Sequence, residues 1–432
     1  MAAHQHSNMR PDMLSVEEAR TRMLAHFSPL ETEERPIVEA LGQTLAEDVR
    51  APFDLPTWRN SAMDGYAVRR EDVQDASPSR PRVLRVIGQV AAGQEPRQRV
   101  TPGAAIRIMT GAPIPTGATA VVPFEDTDES ARQARGDSLE AIGVLRPVEA
   151  GANIRPAGED VHAGDVALPK GQAIRPWEIA VLASLGVARV KVVRRPVVAI
   201  LATGDELLSP GEPRSAAKTY DSNSYALAAA VARDGGIPRR LGIARDNMQE
   251  LHTKLGEGLD SDLLLTSAGV SRGDYDMVKE ALRERGEVSF WTVRMRPAKP
   301  LAFGLLDGPG GRRVPHIGLP GNPVSTMVAY EQFVRPAIRL MLGKAAQGRP
   351  RVRAVLEGTI QNVDGRRVYA RVRVVRRNGA YRATPTGPQG SHIITSMAKA
   401  NGLAICPEDV PLMEKGQVVD VEMLDWNEEV EL

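Results

Sequence analysis

Between about residue 195 and residue 345, short apolar runs alternate with segments of helical period. The apolar runs, which predict buried strands, are Pro196–Thr203, Asp262–Thr266 and Pro315–Leu319. The segments of helical period are Ser222–Arg233, Asp276–Arg285 and a long one from Pro323 to about Leu342. Strands that alternate with helices predict a parallel α/β sheet. Because proline has no backbone N–H, we expect Pro336 to kink or divide the last helix.

The parts of the chain on either side of this region are richer in β-strand signals. In residues 51–149, short pieces such as Arg82–Val90 and Ala105–Met109 alternate with Gly and Pro. From about residue 345 onward, strand patterns recur, and they cover Val352–Leu356, Arg367–Val375 and Gln417–Met423. Two short helices are predicted elsewhere, one after the capping-box pair Ser15 and Glu18 and one over Pro176–Leu185. The fold class is therefore an α/β and β multidomain protein with a central parallel α/β domain flanked by β-rich domains.

Composition and charge exclude several classes of protein. The 432 residues are 42% hydrophobic and 25% charged, as in globular proteins, and 55 Lys and Arg against 54 Asp and Glu give a net charge of +1. No strong overall field attracts nucleic acid or anionic membranes. The long uncharged run Ile108–Phe124 contains prolines and is too short to cross a bilayer. Cys406 is the single cysteine, so neither an intrachain disulfide nor a cysteine zinc site can form. A cytoplasmic location is expected.

Three predicted strands of the α/β region end in loops that contain glycine and polar residues. The loops are Thr203–Glu206, Thr266–Asp276 and Leu319–Pro323. Ligands of open parallel sheets bind beyond the carboxyl ends of the strands, and glycine allows backbone N–H groups to approach them. Each loop alone could be a plain strand–helix connection, but three in one domain favour a binding site.

Acidic residues gather at the same predicted edge of the sheet. They are Asp205, Glu206, Asp221, Asp246, Asp274 and Asp276. Neighbouring carboxylates repel each other unless a cation lies between them, and Mg²⁺ is bound by one or two carboxylates together with substrate phosphates. The alternative is that these acids only cap helices. We favour a functional role for Glu206 and leave Asp274 and Asp276 open.

A basic segment adds a candidate site for an anion. Arg294, Arg296 and Lys299 share a stretch with Pro297 and Pro300, which rules out an ordinary helix. Arginine can bind phosphate-like groups through two parallel hydrogen bonds. An extended course would place Arg296 and Lys299 on opposite sides, unless the loop bends around a ligand. The alternative is a solvated run of charges.

Several familiar motifs are absent, and less familiar ones are present. The sequence contains no GxxxxGK[ST], GxGxxG or HExxH pattern, which argues against P-loop NTPases, dinucleotide enzymes and zincins. Upstream of the α/β region is the string Asn60–Val68 (NSAMDGYAV), in which Asp64 precedes Gly65. Alone, this pair indicates only a turn.

Eight motifs, taken together and in order, resemble those of the MoeA family of molybdopterin molybdenumtransferases. The motifs are Asn60–Val68, Met109–Ala112, Ala157–Asp160, Thr203–Leu207, Asp221–Ser224, Ser267–Ser271, Met295–Pro300 and Gly318–Ser325. The chain is also similar to the E domain of gephyrin and its plant counterpart. Two departures are visible: Ala268 stands where the family often has glycine, and Arg294 and Arg296 stand where many members have lysine.

The resemblance implies an elongated, L-shaped subunit of four domains that forms a homodimer. The implied domains are a discontinuous dimerisation domain (12–50 with 150–194), a β-rich inserted domain (51–149), an α/β molybdopterin-binding domain (195–344) and a C-terminal β-barrel-like domain (345–432). The implied reaction is Mg²⁺-dependent insertion of molybdate into adenylylated molybdopterin, with release of AMP. Further implied partners are the upstream adenylyltransferase and chaperones of molybdoenzymes, but neither nucleic acid nor a membrane.

The resemblance also implies roles for individual residues. Catalytic roles fall on Asp64, Glu206, Asp246 and Asp276, and the last three are the implied Mg²⁺ ligands. Substrate-binding roles fall on Thr110, Asp160, Ser222, Asn223, Ser267, Gly269, Ser271, Arg294, Arg296, Lys299, Pro320, Gly321, Asn322, Pro323, Arg371 and Ser391.

Two other functions stay open at this point. A molybdopterin adenylyltransferase would need only residues 195–345 and would leave Asn60–Val68 unexplained. A non-catalytic, gephyrin-like scaffold would use the same domains to bind a partner peptide and could dispense with Asp64 and Glu206, both of which are present. The sequence does not decide between molybdate and tungstate.

Overall fold

The computed structural model describes residues 13–269 and 277–426, and the elements given below are those of these ranges. The α-helices are Val16–Leu24, Glu129–Arg135, Pro176–Ser184, Asn223–Arg233, Met248–Gly258, Met277–Glu284, Pro323–Ala329, Arg335–Met341 and Thr395–Ala398. None of the helices in these ranges is long and apolar enough to span a membrane.

Six described strands form the central sheet. In chain order they are β1 (Val197–Thr203), β2 (Ile237–Ala244), β3 (Leu263–Ser267), β4 (Gly286–Thr292), β5 (Pro300–Asp307) and β6 (Arg313–Leu319). Their spatial order is β2-β1-β3-β6-β5-β4. The pairs β1–β2, β1–β3 and β3–β6 are parallel, whereas β5 is antiparallel to both of its neighbours. The sheet is therefore mixed, and the predicted parallel arrangement holds for four strands.

The central sheet is covered by helices on both faces, because its strands are apolar on both sides. In β1, Val198 and Ile200 point into a core that contains helix Asn223–Arg233 and the helical segments between residues 323 and 341. Ala199 and Leu201 point to the opposite face, where Met248–Gly258 and Met277–Glu284 pack. Alternate residues of a strand face opposite sides, so an uninterrupted apolar run requires cover on both.

The N-terminal helix Val16–Leu24 also packs on the central sheet. Its capping box is formed as predicted: the Ser15 hydroxyl accepts from the Glu18 N–H at 3.1 Å, and the Glu18 carboxylate accepts from the Ser15 N–H at 2.9 Å. Val16 and Met23 are buried in the same core as Phe303 of β5. The beginning of the described chain is thus part of the packing of the α/β region.

The last helical segment is interrupted in the way that its proline requires. A π-helical segment, Tyr330–Val334, separates Pro323–Ala329 from Arg335–Met341. Pro336 lies in the first turn after this segment, where its missing N–H is tolerated because the hydrogen-bond pattern has already shifted. The predicted interruption at Pro336 is confirmed.

The remaining sheets lie on either side of the α/β region. Three small antiparallel strand pairs join early and later segments of the chain. They are Thr32–Pro36 with Arg189–Val193, Val49–Arg50 with Val166–Leu168, and Asn60–Ser61 with Ile154–Arg155. A larger sheet is formed by residues between these segments. That sheet has five described strands in the order Ala120–Pro123, Gly65–Val68, Ala104–Ile108, Arg82–Val90 and Ala141–Val144.

The C-terminal strands form a closed ring. Starting from Arg367–Arg377, the ring continues through Ala380–Pro385, Arg351–Leu356, Val418–Met423 and Gly402–Cys406. The last of these pairs again with the first, so the described ring of five strands has no free edge. A further pair joins Ile360–Gln361 and Leu412–Met413. The predicted fold class, a central α/β domain with β-rich domains on either side, is confirmed.

Candidate active site

Four parallel strands of the central sheet end at one edge, which we call the carboxyl edge. The last residues of β1, β2, β3 and β6 are Thr203, Ala244, Ser267 and Leu319. The polar loops singled out in the sequence follow these residues directly, so they lie side by side. This edge is where an open α/β sheet binds its ligands.

The acidic loops after β1 and β2 are joined by hydrogen bonds. The Gly204 N–H donates to the Ala244 carbonyl at 3.1 Å, and the Asp246 N–H donates to Oδ1 of Asp205 at 3.2 Å. Asp205, Glu206 and Asp246 are all exposed. The structure therefore brings together two of the three predicted metal ligands, while Asp276 lies outside the described residues.

Gly204 has a specific role in this loop. Its φ is +135°, and a Cβ atom added to it would lie 2.3 Å from Oε2 of Glu206. The Glu206 carboxylate is thus folded back over the glycine, in space that any other residue would occupy.

Arg245 was not predicted from the sequence, although it binds the acidic loop directly. Its Nη1 atom donates to the carbonyl oxygens of Leu207 at 2.8 Å, Asp205 at 3.3 Å and Gly204 at 3.4 Å. The one feature of the sequence that could have indicated this role of Arg245 is its position directly before Asp246.

Asp221 caps a helix, which was the alternative to a functional role for the acidic residues. It is buried, and its Oδ1 accepts from the Ser224 N–H at 3.0 Å while its Oδ2 accepts from the Ser224 hydroxyl. Asn223 instead reaches the neighbouring loop, where its Nδ2 donates to the Gly321 carbonyl at 2.8 Å. Its Oδ1 is buried and has no hydrogen-bond partner among the described residues. Ser222 precedes it at the exposed start of helix Asn223–Arg233.

The loops after β3 and β6 touch each other. The Ala268 N–H donates to the Leu319 carbonyl at 3.0 Å, and a Cβ added to Gly321 would lie 3.5 Å from the Cβ of Ala268. Ala268 has a φ of +84°, a conformation that suits the glycine frequent there in the family. Ser267 is buried and Gly269 has a φ of +74°, whereas Ser271 lies outside the described residues.

The turn from Pro320 to Pro323 is held from inside the molecule. The Thr326 hydroxyl donates to the Pro320 carbonyl at 2.5 Å and to the Asn322 carbonyl at 3.0 Å. Gly321 and Asn322 are exposed at the carboxyl edge, and Pro323 begins the following helix. Thr326 is a second residue that sequence reasoning missed, because it lies in a helix.

The basic segment, residues 293–299, forms a closed loop at the same edge. It connects β4 to β5, and β5 runs antiparallel to β6 with Ala302 opposite Gly318. The Val293 N–H donates to the Lys299 carbonyl at 2.8 Å, and Ala298 has a φ of +71°. The loop therefore bends, which rejects the extended course for Arg296 and Lys299.

The same loop is fixed to the C-terminal ring. Met295–Arg296 pairs in parallel with Arg367–Val368, and Nη1 of Arg366 donates to the Met295 carbonyl at 3.2 Å. On its other side, the Arg294 N–H donates to the Leu14 carbonyl at 2.8 Å. Arg296 and Lys299 are both half-buried, so the solvated-run alternative does not describe them.

Two cavities adjoin the basic loop where it meets the C-terminal ring. One, of about 390 Å³, is lined by residues that include Arg296, Lys299, Ser325 and Ser391. The Val324 N–H donates to the Ser391 carbonyl at 3.1 Å, which joins the helix after β6 to the C-terminal ring. The other cavity, of about 330 Å³, is lined by residues that include Arg296 and Arg371. The first cavity is thus lined by three predicted substrate-binding residues, Arg296, Lys299 and Ser391, and the second by Arg296 and Arg371.

Arg371 is a buried cation without an acidic partner. Only 1% of the residue is exposed. Its Nε donates to the Ser396 hydroxyl at 3.0 Å and its Nη2 to the Gly390 carbonyl at 3.1 Å, and no carboxylate among the described residues forms an ion pair with it. Burial lowers its pKa to about 10, because removal from water disfavours the charged form. An anion in the adjoining cavity would supply the missing counter-charge.

We expect Arg371→Met to raise the free energy of unfolding by about 1 kcal/mol, because a buried, unpaired charge is costly and methionine fills similar space. Molybdate should raise the melting temperature of the wild type but not of this variant. Thermal unfolding with and without molybdate measures both effects. Arg373→Met, which removes an exposed cation from the same strand, is the matched control. Equal stabilisation of wild type and Arg371→Met by molybdate would contradict an anion site here.

Asp64, Thr110 and Asp160 lie away from the carboxyl edge. Oδ1 of Asp64 accepts from the Thr110 N–H at 2.7 Å and from its hydroxyl at 2.9 Å, and these bonds lower the pKa of Asp64. Asp160, also exposed, donates its N–H to the Leu55 carbonyl at 2.9 Å. Within the described ranges, no hydrogen bond or ion pair joins these three residues to the loops of the carboxyl edge. Asp64 and Thr110 flank strands of the five-stranded sheet and not of the central sheet.

Family models match nearly the whole described chain. Residues 14–186 match the MoeA N-terminal region (domain I and II), residues 199–340 a probable molybdopterin binding domain, and residues 353–424 the MoeA C-terminal region (domain IV).

Known proteins of similar length match as well. A curated relative, "Molybdopterin molybdenumtransferase 2" of Mycobacterium tuberculosis, is 39% identical over 89% of this chain and 93% of its own length. "Molybdopterin molybdenumtransferase" of Haemophilus influenzae is 34% identical over 95% of this chain and 98% of its own. The crystal structure of a molybdopterin biosynthesis MoeA protein from Pyrococcus horikoshii superposes with a TM-score of 0.77 at 31% identity, covering 95% of this chain and 100% of that one.

Proposed function

The chain belongs to the MoeA family, and from this we propose that it inserts molybdate into adenylylated molybdopterin in a Mg²⁺-dependent reaction that releases AMP. The relatives establish that the protein is a transferase of molybdenum cofactor biosynthesis, with a molybdopterin-type substrate and molybdate. The Mg²⁺ requirement and the adenylylated form of the substrate belong to the proposal.

One observation carries the proposal: acids and bases reach the same edge of one sheet. Glu206 and Asp246 follow the carboxyl ends of β1 and β2. Because β5 is antiparallel, the loop that precedes it, with Arg296 and Lys299, comes to that edge too. The pyrophosphate link requires a cation, which acidic residues can bind, and the molybdate dianion requires basic residues. Both kinds of residue are present at this edge.

The carboxylates suit a Mg²⁺ ion held jointly with the substrate. Glu206 and Asp246 are exposed oxygen donors on loops that are bonded to each other. In the described part of the chain, no group of three Asp, Glu, His or Cys side chains is arranged to bind a metal by itself. Mg²⁺ commonly takes one or two carboxylates and completes its shell with water and phosphate oxygens, so the donor set fits. When bound, the ion would neutralise charge on the pyrophosphate oxygens.

The protein's own groups then have separate tasks. Glu206 and Asp246 would hold the Mg²⁺ ion that binds the pyrophosphate. One water adds to the adenylyl phosphorus as the bond to the bridging oxygen breaks. The products are AMP and a molybdopterin that keeps its own phosphate, and the proton released passes to solvent. Arg296 and Arg371 hold molybdate by charge, and Lys299 holds the adenylylated pterin. When the two pterin thiols bind the metal, one oxide of molybdate leaves as water with the two thiol protons.

The position of the cysteine supports this division of tasks. Cys406 is buried in the C-terminal ring, with its Sγ 3.3 Å from the Val410 carbonyl. It offers no thiolate to a metal at the carboxyl edge, so the sulfur ligands of molybdenum come from the substrate.

The test is product analysis with purified protein, adenylylated molybdopterin, molybdate and Mg²⁺. We expect AMP and molybdenum cofactor in equal amounts, and neither without Mg²⁺. Formation of adenylylated pterin from ATP and molybdopterin would instead identify an adenylyltransferase. Binding of the pterin without any product would favour a scaffold. Replacing molybdate with tungstate in the same assay determines the preferred oxyanion.

The two cations of the basic loop should act on different ligands. Arg296→Ala is expected to raise the molybdate concentration needed for half-maximal activity about 10- to 150-fold, the range for the loss of a charged hydrogen bond of about 1.5–3 kcal/mol, and to leave pterin binding nearly unchanged. Lys299→Ala should instead weaken binding of the adenylylated pterin. Separate titrations of the two ligands measure these effects.

The matched control for these variants is Arg313→Ala. It removes an exposed cation from the opposite end of β6, where Arg313 pairs with Asp307 at 3.4 Å. Equal and negligible effects of Arg296→Ala and Lys299→Ala on both ligands would remove the basic loop from the site.

The homodimer, the cytoplasmic location, and interactions with the upstream adenylyltransferase or with chaperones of molybdoenzymes remain part of the proposal. The dimer is supported by the separation of Asp64 and Thr110 from the carboxyl edge, since a second subunit could bring them there.

A further inference from the structure

The loop that carries Glu206 is held through its backbone by two cations. Arg245 donates to the carbonyl oxygens of Gly204, Asp205 and Leu207 at 2.8–3.4 Å. The Nζ atom of Lys218 donates to the Asp205 carbonyl as well. The carbonyl of Glu206 accepts from the Thr219 N–H at 2.8 Å. Every carbonyl from Gly204 to Leu207 is therefore bonded.

These contacts leave the acidic side chains available for a ligand. Asp205 and Glu206 remain exposed while their carbonyl groups are engaged. Neither Arg245 nor Lys218 forms an ion pair with a carboxylate in the described ranges, so the hydrogen bonds of both cations go to the backbone of this loop. A charged donor bonded to several carbonyl oxygens holds a segment more firmly than neutral bonds do.

Arg245 also connects the two acidic loops. It lies between Ala244, the last residue of β2, and Asp246, whose N–H donates to the Asp205 carboxylate at 3.2 Å. A shift of the Arg245 guanidinium would change both the loop that it binds and the loop to which it belongs. Glu206 and Asp246 would then lose their common orientation.

We propose that Arg245 is a positioning residue, which holds Gly204–Leu207 so that Glu206 and Asp246 face the same ligand, with Lys218 as a second, weaker anchor. The expected change in reaction rate rests on the proposed function, whereas the contacts of Arg245 do not depend on it. All three bonds are made by Nη1, a terminal nitrogen whose N–H groups have fixed directions in the planar guanidinium, whereas the lysine ammonium rotates on a flexible stem.

The first experiment measures AMP release by Arg245→Gln. We expect kcat to fall about 10- to 100-fold, while KM for molybdate stays within about twofold, because the basic loop is untouched. Arg245→Lys should recover part of the loss. Arg240→Gln is the matched control: Arg240 is on β2, the strand that ends just before Arg245, and is stacked on the Tyr225 ring at 3.6 Å, so its loss should leave kcat unchanged. An unchanged kcat in Arg245→Gln would overturn the proposal.

A double-mutant cycle separates positioning from a general structural effect. If Arg245 acts through Glu206, adding Arg245→Gln to Glu206→Gln should reduce the residual rate less than about twofold. If the two losses multiply, Arg245 does not act through Glu206 and the proposal is wrong.

Hydrogen exchange tests the contacts independently of the reaction. In Arg245→Gln, the amide of Thr219 should exchange at least about tenfold faster than in the wild type, while amides of β3 should keep their rates. Lys218→Gln should have a smaller effect of the same kind. An unchanged exchange rate at Thr219 would overturn the proposal even if AMP release is observed. Faster exchange in a protein that releases no AMP would uphold the contact and reject the proposed function.

Discussion

Replacing Glu206 with Gln or Asp246 with Asn is expected to reduce Mg²⁺-dependent AMP release about 100- to 1,000-fold, the range for losing one group that stabilises charge in a transition state. Both changes keep the size of the side chain and remove its charge. Because both carboxylates are exposed on loops, the free energy of unfolding should change by less than about 0.5 kcal/mol. The measurements are initial rates over a range of Mg²⁺ concentrations and thermal unfolding of each variant.

The control is Glu287→Gln, which removes an exposed carboxylate from β4. It should leave both the rate and its Mg²⁺ dependence unchanged. Turnover of Glu206→Gln or Asp246→Asn at the wild-type rate would show that the residue concerned neither binds the ion nor takes part in catalysis.

Mixing an Asp64→Ala subunit with a Glu206→Gln subunit is expected to restore activity that neither variant has alone. Asp64 is bonded to Thr110 in the inserted β-rich part, whereas Glu206 follows β1 at the carboxyl edge of the central sheet. If each site takes Asp64 from one subunit and Glu206 from the other, a hybrid dimer contains one intact site and one doubly altered site. Its activity should be about half that of the wild-type dimer.

The hybrid must be isolated for this test, for example with two different affinity tags. The two parent homodimers provide the background, and a hybrid of wild type with the doubly altered chain provides the control. In that control every site contains one altered residue, so it should be inactive. A verified hybrid of the two single variants with no more activity than its parents would reject the shared site. Failure to form any dimer would reject it as well.

The sequence predicted the carboxyl edge well because its signals are local. The runs Pro196–Thr203, Asp262–Thr266 and Pro315–Leu319 are apolar on both faces, and strands of this kind are buried between helices. Once they are placed in parallel, the loops that follow them, including the one with Glu206, must meet at one edge. Asp246 follows β2, a strand that these apolar runs did not predict. The structure places Glu206 and Asp246 at that edge.

The direction of β5 could not be predicted in this way. In β4, Glu287 and Ser289 are exposed while Val288 and Phe290 are half-buried, and this edge strand pairs with β5 alone among the described strands. Nothing in the stretch Pro300–Asp307 distinguishes an antiparallel strand from a parallel one. That direction, which is decided by tertiary pairing, is what brings Arg296 and Lys299 to the acids.

Single side-chain contacts were also beyond the sequence. Asp221 looked like the other acids until the structure showed it capping Ser224. Arg245 looked like an ordinary cation at a strand end, because its acceptors are carbonyl oxygens of another loop, and carbonyl groups leave no residue-type signal. The positive φ of Ala298 was unexpected for the same reason, since alanine carries no signal for that conformation.

The pairing of Met295–Arg296 with Arg367–Val368 limits how this protein could exchange parts with its relatives. A crossover in the linker between Met341 and Arg351 looks natural, since it separates two compact units. It would nevertheless combine a basic loop from one parent with the strand that supports it from the other. Chimeras made there should express well yet bind molybdate poorly. Chimeras in which residues 293–299 come from the parent of the C-terminal part should recover binding. This heptapeptide belongs to the α/β region in the order of the chain, but its partner strand belongs to the C-terminal ring.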